Sequence, residues 1–129
     1  MQIRRSEITL FVSDIPRSVE FYTRALGFVR HADPAHGEPD GTWDKVATGD
    51  FVLAFFKAKS AEPALAPGSR PMMSADMVVD DFDAAVRGLE AVGSRMGKVR
   101  DWPEGRVVVF YDPDGIAWEL ISIEKGKSA

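Results

Sequence analysis

Few side chains in this chain could do chemistry alone. Its 129 residues include no cysteine, which excludes thiolate nucleophiles, thiolate metal sites and disulfides. There are two histidines, His31 and His36. A non-haem iron site of two imidazoles and a carboxylate would consume both. They lie beside or within a polar stretch, 32–42, that holds two glycines and two prolines, where a surface-loop role is the simpler reading. No Gly-rich phosphate loop, nucleophile elbow or paired-histidine helix motif occurs. The aromatic residues Trp43, Phe56, Trp102, Phe110 and Tyr111 could stack on a flat ligand, or could equally pack a core or rim. Trp43, at a loop-to-strand junction, and Trp102, in the loop Asp101-Trp102-Pro103-Glu104-Gly105, are the preferred ligand contacts. Met72, Met73 and Met77 are expected to fill gaps.

Two similar phrases would position these groups. In the first, Glu7 to Val12 is a predicted strand, Asp14 a helix cap and Pro16 a first-turn residue. Val19, Tyr22, Ala25 and Leu26 recur at helical spacing with Phe21 on the flank, and Gly27 stops the helix. In the second, Ser74 to Val79 is a strand, Asp80 and Asp81 offer a cap, Val86, Leu89 and Val92 form a stripe, and Gly93 stops it. The near-constant offset between matching landmarks makes an internal repeat the better reading. Short strands are expected near Phe28 to His31 and near Lys98 to Asp101. Hairpins follow, Trp43 to Thr48 with Phe51 to Lys57 around Gly49-Asp50, and Arg106 to Tyr111 with Ile116 to Ile123 around Asp112-Pro113-Asp114-Gly115.

The predicted fold class is therefore α+β: two β-α-β-β-β modules whose curled mixed sheet surrounds a cleft, in one domain, 1–129. Module one spans about 5–58, a proline-rich linker about 59–71, and module two about 72–124. One helix covers only one face of a four-stranded sheet, so the other face must be packed or filled by a ligand. A formal net charge of -4 without a basic cluster argues against nucleic-acid and anionic-membrane partners. Arg4, Arg5, Arg17 and Arg24 read as a solvated face. The N-terminal apolar stretch is too short for a signal-peptide core, so a cytoplasmic location is expected.

The run Val12-Ser13-Asp14, Ser18, Phe21-Tyr22 and Leu26-Gly27-Phe28 resembles the opening of the vicinal oxygen chelate superfamily, the group of glyoxalase I, bleomycin resistance proteins and extradiol dioxygenases. Asp112-Pro113-Asp114-Gly115 followed by Glu119-Leu120 is similar to its closing signature. Residues 49–56 are similar to the central hairpin of the bleomycin resistance branch. The resemblance spans about residues 7–123. It speaks for fold and names no reaction.

Metal enzymes of that superfamily place one ligand on each of four inward strand positions. The resemblance puts these at Glu7, near Ala54, at Ser74 and at Glu119. Alanine offers no donor and a neutral serine is a poor ligand, so no cofactor is expected. If a divalent metal binds, Glu7 and Glu119 are its ligands. Strand alternation from these positions turns Thr9 and Phe11 inward with Glu7, Val52 and Phe56 with Ala54, Asp76 and Val78 with Ser74, and Ala117 and Ile121 with Glu119. Trp118 then faces a helix. Four readings of Glu7, Asp76 and Glu119 stay open: structural partners, an acidic pocket for a cationic ligand, general acid/base groups, or a hard-ion site for Mg²⁺ or Mn²⁺.

The expectation is a small-molecule binding protein of the glyoxalase/bleomycin resistance type, without the metal site and of antibiotic-sequestering character. The alternative is a metal-dependent or acid/base lyase, isomerase or dioxygenase related to glyoxalase I, with Glu7 and Glu119 as its catalytic residues. Superfamily members commonly dimerise, which implies a homodimer.

Overall fold

A computed structural model describes residues 6–58 and 75–124. The chain divides into two compact units, Met1–Glu62 and Pro63–Ala129. The linker expected at 59–71, the candidate Ser74, and Met72, Met73, Arg4 and Arg5 lie outside the described residues.

The first unit runs β1 (Ser6–Val12), α1 (Ile15–Leu26), β2 (Val29–Arg30), β3 (Trp43–Thr48) and β4 (Phe51–Lys57). Its helix begins where the Asp14 carboxylate accepts the Arg17 backbone N–H at 3.0 Å, with Pro16 in the first turn. Such a cap stabilises a helix by about 1 kcal/mol. Gly27 ends it at φ 72°, a conformation that costs a side-chain-bearing residue strain. The sheet order is β1-β4-β3-β2, with β1 parallel to β4 and the other pairs antiparallel. Tyr22 stacks on Phe55 with ring centroids 5.3 Å apart, which seats α1 on the face that also carries Leu10, Val12 and Leu53.

The second unit repeats the plan: β5 (Asp76–Val79), α2 (Phe82–Ala91), β6 (Arg95–Met96), β7 (Arg100–Trp102), β8 (Gly105–Tyr111) and β9 (Ala117–Ser122). Asp81 caps α2 by accepting the Ala84 N–H at 2.9 Å, and Gly93 follows the helix at φ 71°. The order is β5-β9-β8-β6, with β5 parallel to β9. The short strand expected near Lys98 to Asp101 is two pieces: β6 pairs with the Phe110-Tyr111 end of β8, and β7 with its Gly105–Val107 end. The break holds Gly97 and two further residues that carry no alternating apolar pattern. Phe82, Leu89, Val108, Phe110, Trp118 and Leu120 form the buried core of this unit. Arg106 closes it: its guanidinium lies over Phe82 at 4.7 Å and pairs with Asp83 at 2.9 Å and Glu124 at 2.7 Å. Among the described residues, no helix is long and apolar enough to cross a membrane.

Candidate functional site

Each sheet leaves one face away from its helix, and the chemistry gathers there. In the first unit the register puts Glu7, Thr9 and Phe11 of β1 beside Val52, Ala54 and Phe56 of β4. It puts Trp43, Lys45 and Ala47 of β3 on the same face, opposite Phe56, Ala54 and Val52. Phe11 is 68% exposed, while Val52, Ala54 and Trp43 are buried. The dominant feature is Lys45. Its side chain is only 7% exposed, and its ammonium stands 2.5 Å from Glu7 Oε1 and 2.8 Å from Asp33 Oδ2. Asp33 comes from the loop after β2. Burial presses the Lys45 pKa down, but hydrogen bonds to Asp33 and Glu7 and their charges outweigh it, so the net shift is upward from 10.5. The lysine therefore stays charged at any ordinary pH.

Beside this cluster His36 packs edge-on against Trp43, centroids 4.4 Å apart, and against Phe56 at 5.7 Å. Trp43 is thus a buried first residue of β3 rather than an open loop tryptophan. His31 lies just past β2, where its backbone N–H donates to the Lys45 carbonyl at 2.9 Å. Behind the sheet, on the α1 side, buried Asp44 pairs with Arg30 and accepts the Lys45 backbone N–H at 2.8 Å.

In the second unit Asp76 and Val78 of β5 share the face with Ala117, Glu119 and Ile121 of β9 and with Val107, Val109 and Tyr111 of β8. Asp76 and Glu119 are register partners, and the side-chain hydrogen bond that a protonated Glu119 donates to Asp76 is the largest cause of an upward shift in the Glu119 pKa. Burial and the charge of Asp76 push the same way, and Arg100 opposes them. The neighbouring acid thus favours the neutral form of Glu119. Arg95 lies 4.0 Å over the Tyr111 ring. Trp102 ends β7, opposite Gly105, rather than sitting in an open loop, and its indole N–H donates to the Ser122 carbonyl at 3.1 Å. Gly105 is required there, since a Cβ would stand 2.0 Å from that carbonyl oxygen. Phe110 is fully buried on the α2 side, so it is core and not a stacking surface, and Trp118 is buried on that side as expected.

The alternation read from the sequence thus places Glu7, Thr9, Phe11, Ala54 and Phe56 together on one face, and Asp76 and Glu119 together on the other. Lys45, Asp33, Arg95 and Arg100 were missed. Counting back across Gly49-Asp50 would have found Lys45, because the hairpin sets it opposite Ala54.

A divalent metal fits this donor set poorly. Among the described residues no three His, Asp or Glu side chains gather to hold one. Glu7 is engaged by an ammonium, and Ala54 brings no donor atom. Glu7 and Asp33 already hold the Lys45 ammonium, so a divalent ion at this point would have to displace a tethered cation.

The described geometry has known counterparts. A solved glyoxalase/bleomycin resistance protein/dioxygenase domain from Frankia sp. EAN1pec is 19% identical, with 96% of this chain and 98% of that one covered and a TM-score of 0.69. The fosfomycin resistance protein FosX from Listeria monocytogenes, solved with Mn(II) and 1S,2S-dihydroxypropylphosphonic acid, is 18% identical over 98% and 97% of the chains, with a TM-score of 0.74. TnmS3, an antibiotic binding protein from Streptomyces sp. CB03234, is 25% identical over 95% and 98%, with a TM-score of 0.69. No protein with a curated description matches. The family profile matches residues 4–120 and so takes in both units, the capped helices and both hairpins. On that match the chain belongs to the Glyoxalase/Bleomycin resistance protein/Dioxygenase superfamily.

Proposed function

We propose that this chain is a metal-independent small-molecule binding protein of antibiotic-sequestering character, working as a cytoplasmic homodimer. The observation that carries the reading is the Lys45 ammonium on Glu7, which takes up the first of the carboxylates a metal would need. Sequestration requires affinity and no chemistry, so the poor donor set costs it nothing. The likeness to TnmS3, described as an antibiotic binding protein, supports the same class. FosX was solved with Mn(II); in this chain Glu7 is paired with Lys45 and Ala54 brings no donor atom. The acids on the open faces, Glu7 in the first unit and Asp76 beside Glu119 in the second, favour a cationic ligand. Each open face is taken by itself: the contacts proposed on the first are Glu7, Thr9, Phe11, Trp43, Ala54 and Phe56, and those proposed on the second are Asp76, Trp102 and Glu119.

Metal analysis of protein purified without chelator tests the reading. Substoichiometric zinc, nickel, iron and manganese are expected, and a full equivalent of any of them would overturn it. A thermal-shift screen should respond to cationic glycopeptide antibiotics and not to thioester metabolites. Size-exclusion chromatography with light scattering tests the dimer.

The Asp76–Glu119 pair favours a second reading, an acid/base lyase or isomerase. A carboxyl that keeps its proton above the usual range can donate it to a substrate. Turnover of a thioester abolished by Glu119→Gln would select this reading.

A further inference from the structure

We infer that the first unit carries a stacking shelf for a flat heteroaromatic ligand, and that His36 is its removable cover, a ring of the chain's own that the ligand displaces to reach Trp43. The inference rests on the binding-protein reading, names the ligand class and the residue that controls access, and concerns the first unit alone. Register places Phe11, Phe56 and Trp43 side by side on β1, β4 and β3, one aromatic residue from each of three neighbouring strands on the open face. Neighbouring strands lie about 4.8 Å apart, so the row runs for roughly 10 Å and can lie under a fused ring system.

The two ends of the row differ. Phe11 is 68% exposed, Phe56 is half-buried and Trp43 is 4% exposed. At the covered end the His36 imidazole stands edge-on to Trp43, with centroids 4.4 Å apart, and to Phe56 at 5.7 Å. His36 is itself exposed, so its ring can leave toward solvent. The backbone beneath it is held: its N–H donates to the Asp33 carbonyl at 2.9 Å, and the Asp33 carboxylate lies 2.8 Å from the Lys45 ammonium. A rotation about χ1 therefore uncovers Trp43 and leaves the loop in place. Two independent observations meet here, a register that aligns three aromatic residues and a flat ring already seated at one end of them. Ligand entry and departure of the imidazole are one event, and apparent affinity falls with the fraction of molecules in which the ring is seated.

The test titrates proflavine, a flat tricyclic cation, into the wild-type protein, His36→Ala and His36→Phe, followed by the dye's fluorescence anisotropy. His36→Ala should bind it about three- to tenfold more tightly than the wild type, and His36→Phe, which keeps a ring on the seat, no more tightly. Phe11→Ala added to His36→Ala should weaken binding, because the bare end of the row is lost. Acrylamide quenching of tryptophan fluorescence reads the cover without any ligand: it should rise in His36→Ala, and Trp43→Phe should abolish the rise. If His36→Ala binds proflavine no better than the wild type, or if neither binds it, the inference fails, and the binding-protein reading still stands on its own thermal-shift hits. If Trp43 stays as shielded in His36→Ala as in the wild type, the inference fails as well. A full equivalent of metal in the purified protein would overturn the binding-protein reading and leave the quenching result untouched.

Discussion

In the first unit the carboxylate Glu7 on β1 meets a lysine from β3; in the second the carboxylate Asp76 on β5 meets another acid, Glu119, from β9. The strand orders and helix caps match, so the backbone poses the same problem twice: how to keep charge on a sheet face that has no helix over it. One solution is an opposite charge, which holds at every ordinary pH. The other is a Glu119 carboxyl that holds its proton more firmly than a free glutamate and loses it as pH rises. A duplicated fold can thus carry a constant element and a pH-dependent one side by side.

The largest test of this contrast is Lys45→Met. It removes the buried ammonium that pairs with Glu7 and Asp33 and should cost about 3–5 kcal/mol in urea unfolding at neutral pH. The raised lysine pKa gives the sign: its contribution is complete below 10.5 and is lost as pH climbs through the folded value, so only the wild type should weaken in that alkaline range. Next, Trp43→Ala should cost about 3 kcal/mol, because a buried ring and its contacts with His36 and Phe56 disappear. Glu119→Gln should act in the other direction. With its pKa raised above 4.5, the native state holds an extra proton just above that value, so stability declines as pH rises through the folded pKa. The amide removes this slope and should stabilise by about 0.5–1 kcal/mol at neutral pH. Smallest is Trp102→Phe, which gives up one indole hydrogen bond to Ser122 for about 1 kcal/mol or less. If Lys45→Met proves harmless and Glu119→Gln severe, the contrast between the units is inverted.

The sequence was most legible where local rules act alone. Trp43–Thr48 and Phe51–Lys57 were read to the residue, because Gly49-Asp50 specifies the turn and period-two alternation does the rest. Both helix starts were legible from Asp14 and Asp81. β7 was less so: Arg100-Asp101-Trp102 carries no apolar rhythm, and only pairing with Gly105–Val107 makes it a strand. Lys45 escaped for a related reason, since a lysine in a strand reads as solvent-facing. Its burial depends on Asp33, twelve residues away in an irregular loop whose path no periodicity encodes. The acids on the open faces were visible as residues, but which partner each would choose was not, because that choice is tertiary.

One edge of each sheet, β2 in the first and β6 with β7 in the second, carries a further meaning. β2 is two residues long, and the matching border of the second sheet is cut into two fragments at Gly97. Neither offers an uninterrupted row of backbone donors and acceptors onto which a stray polypeptide could zip. Phe11 and Val78 stay exposed on the open faces, and edges broken in this way give a second copy little to pair with beside them.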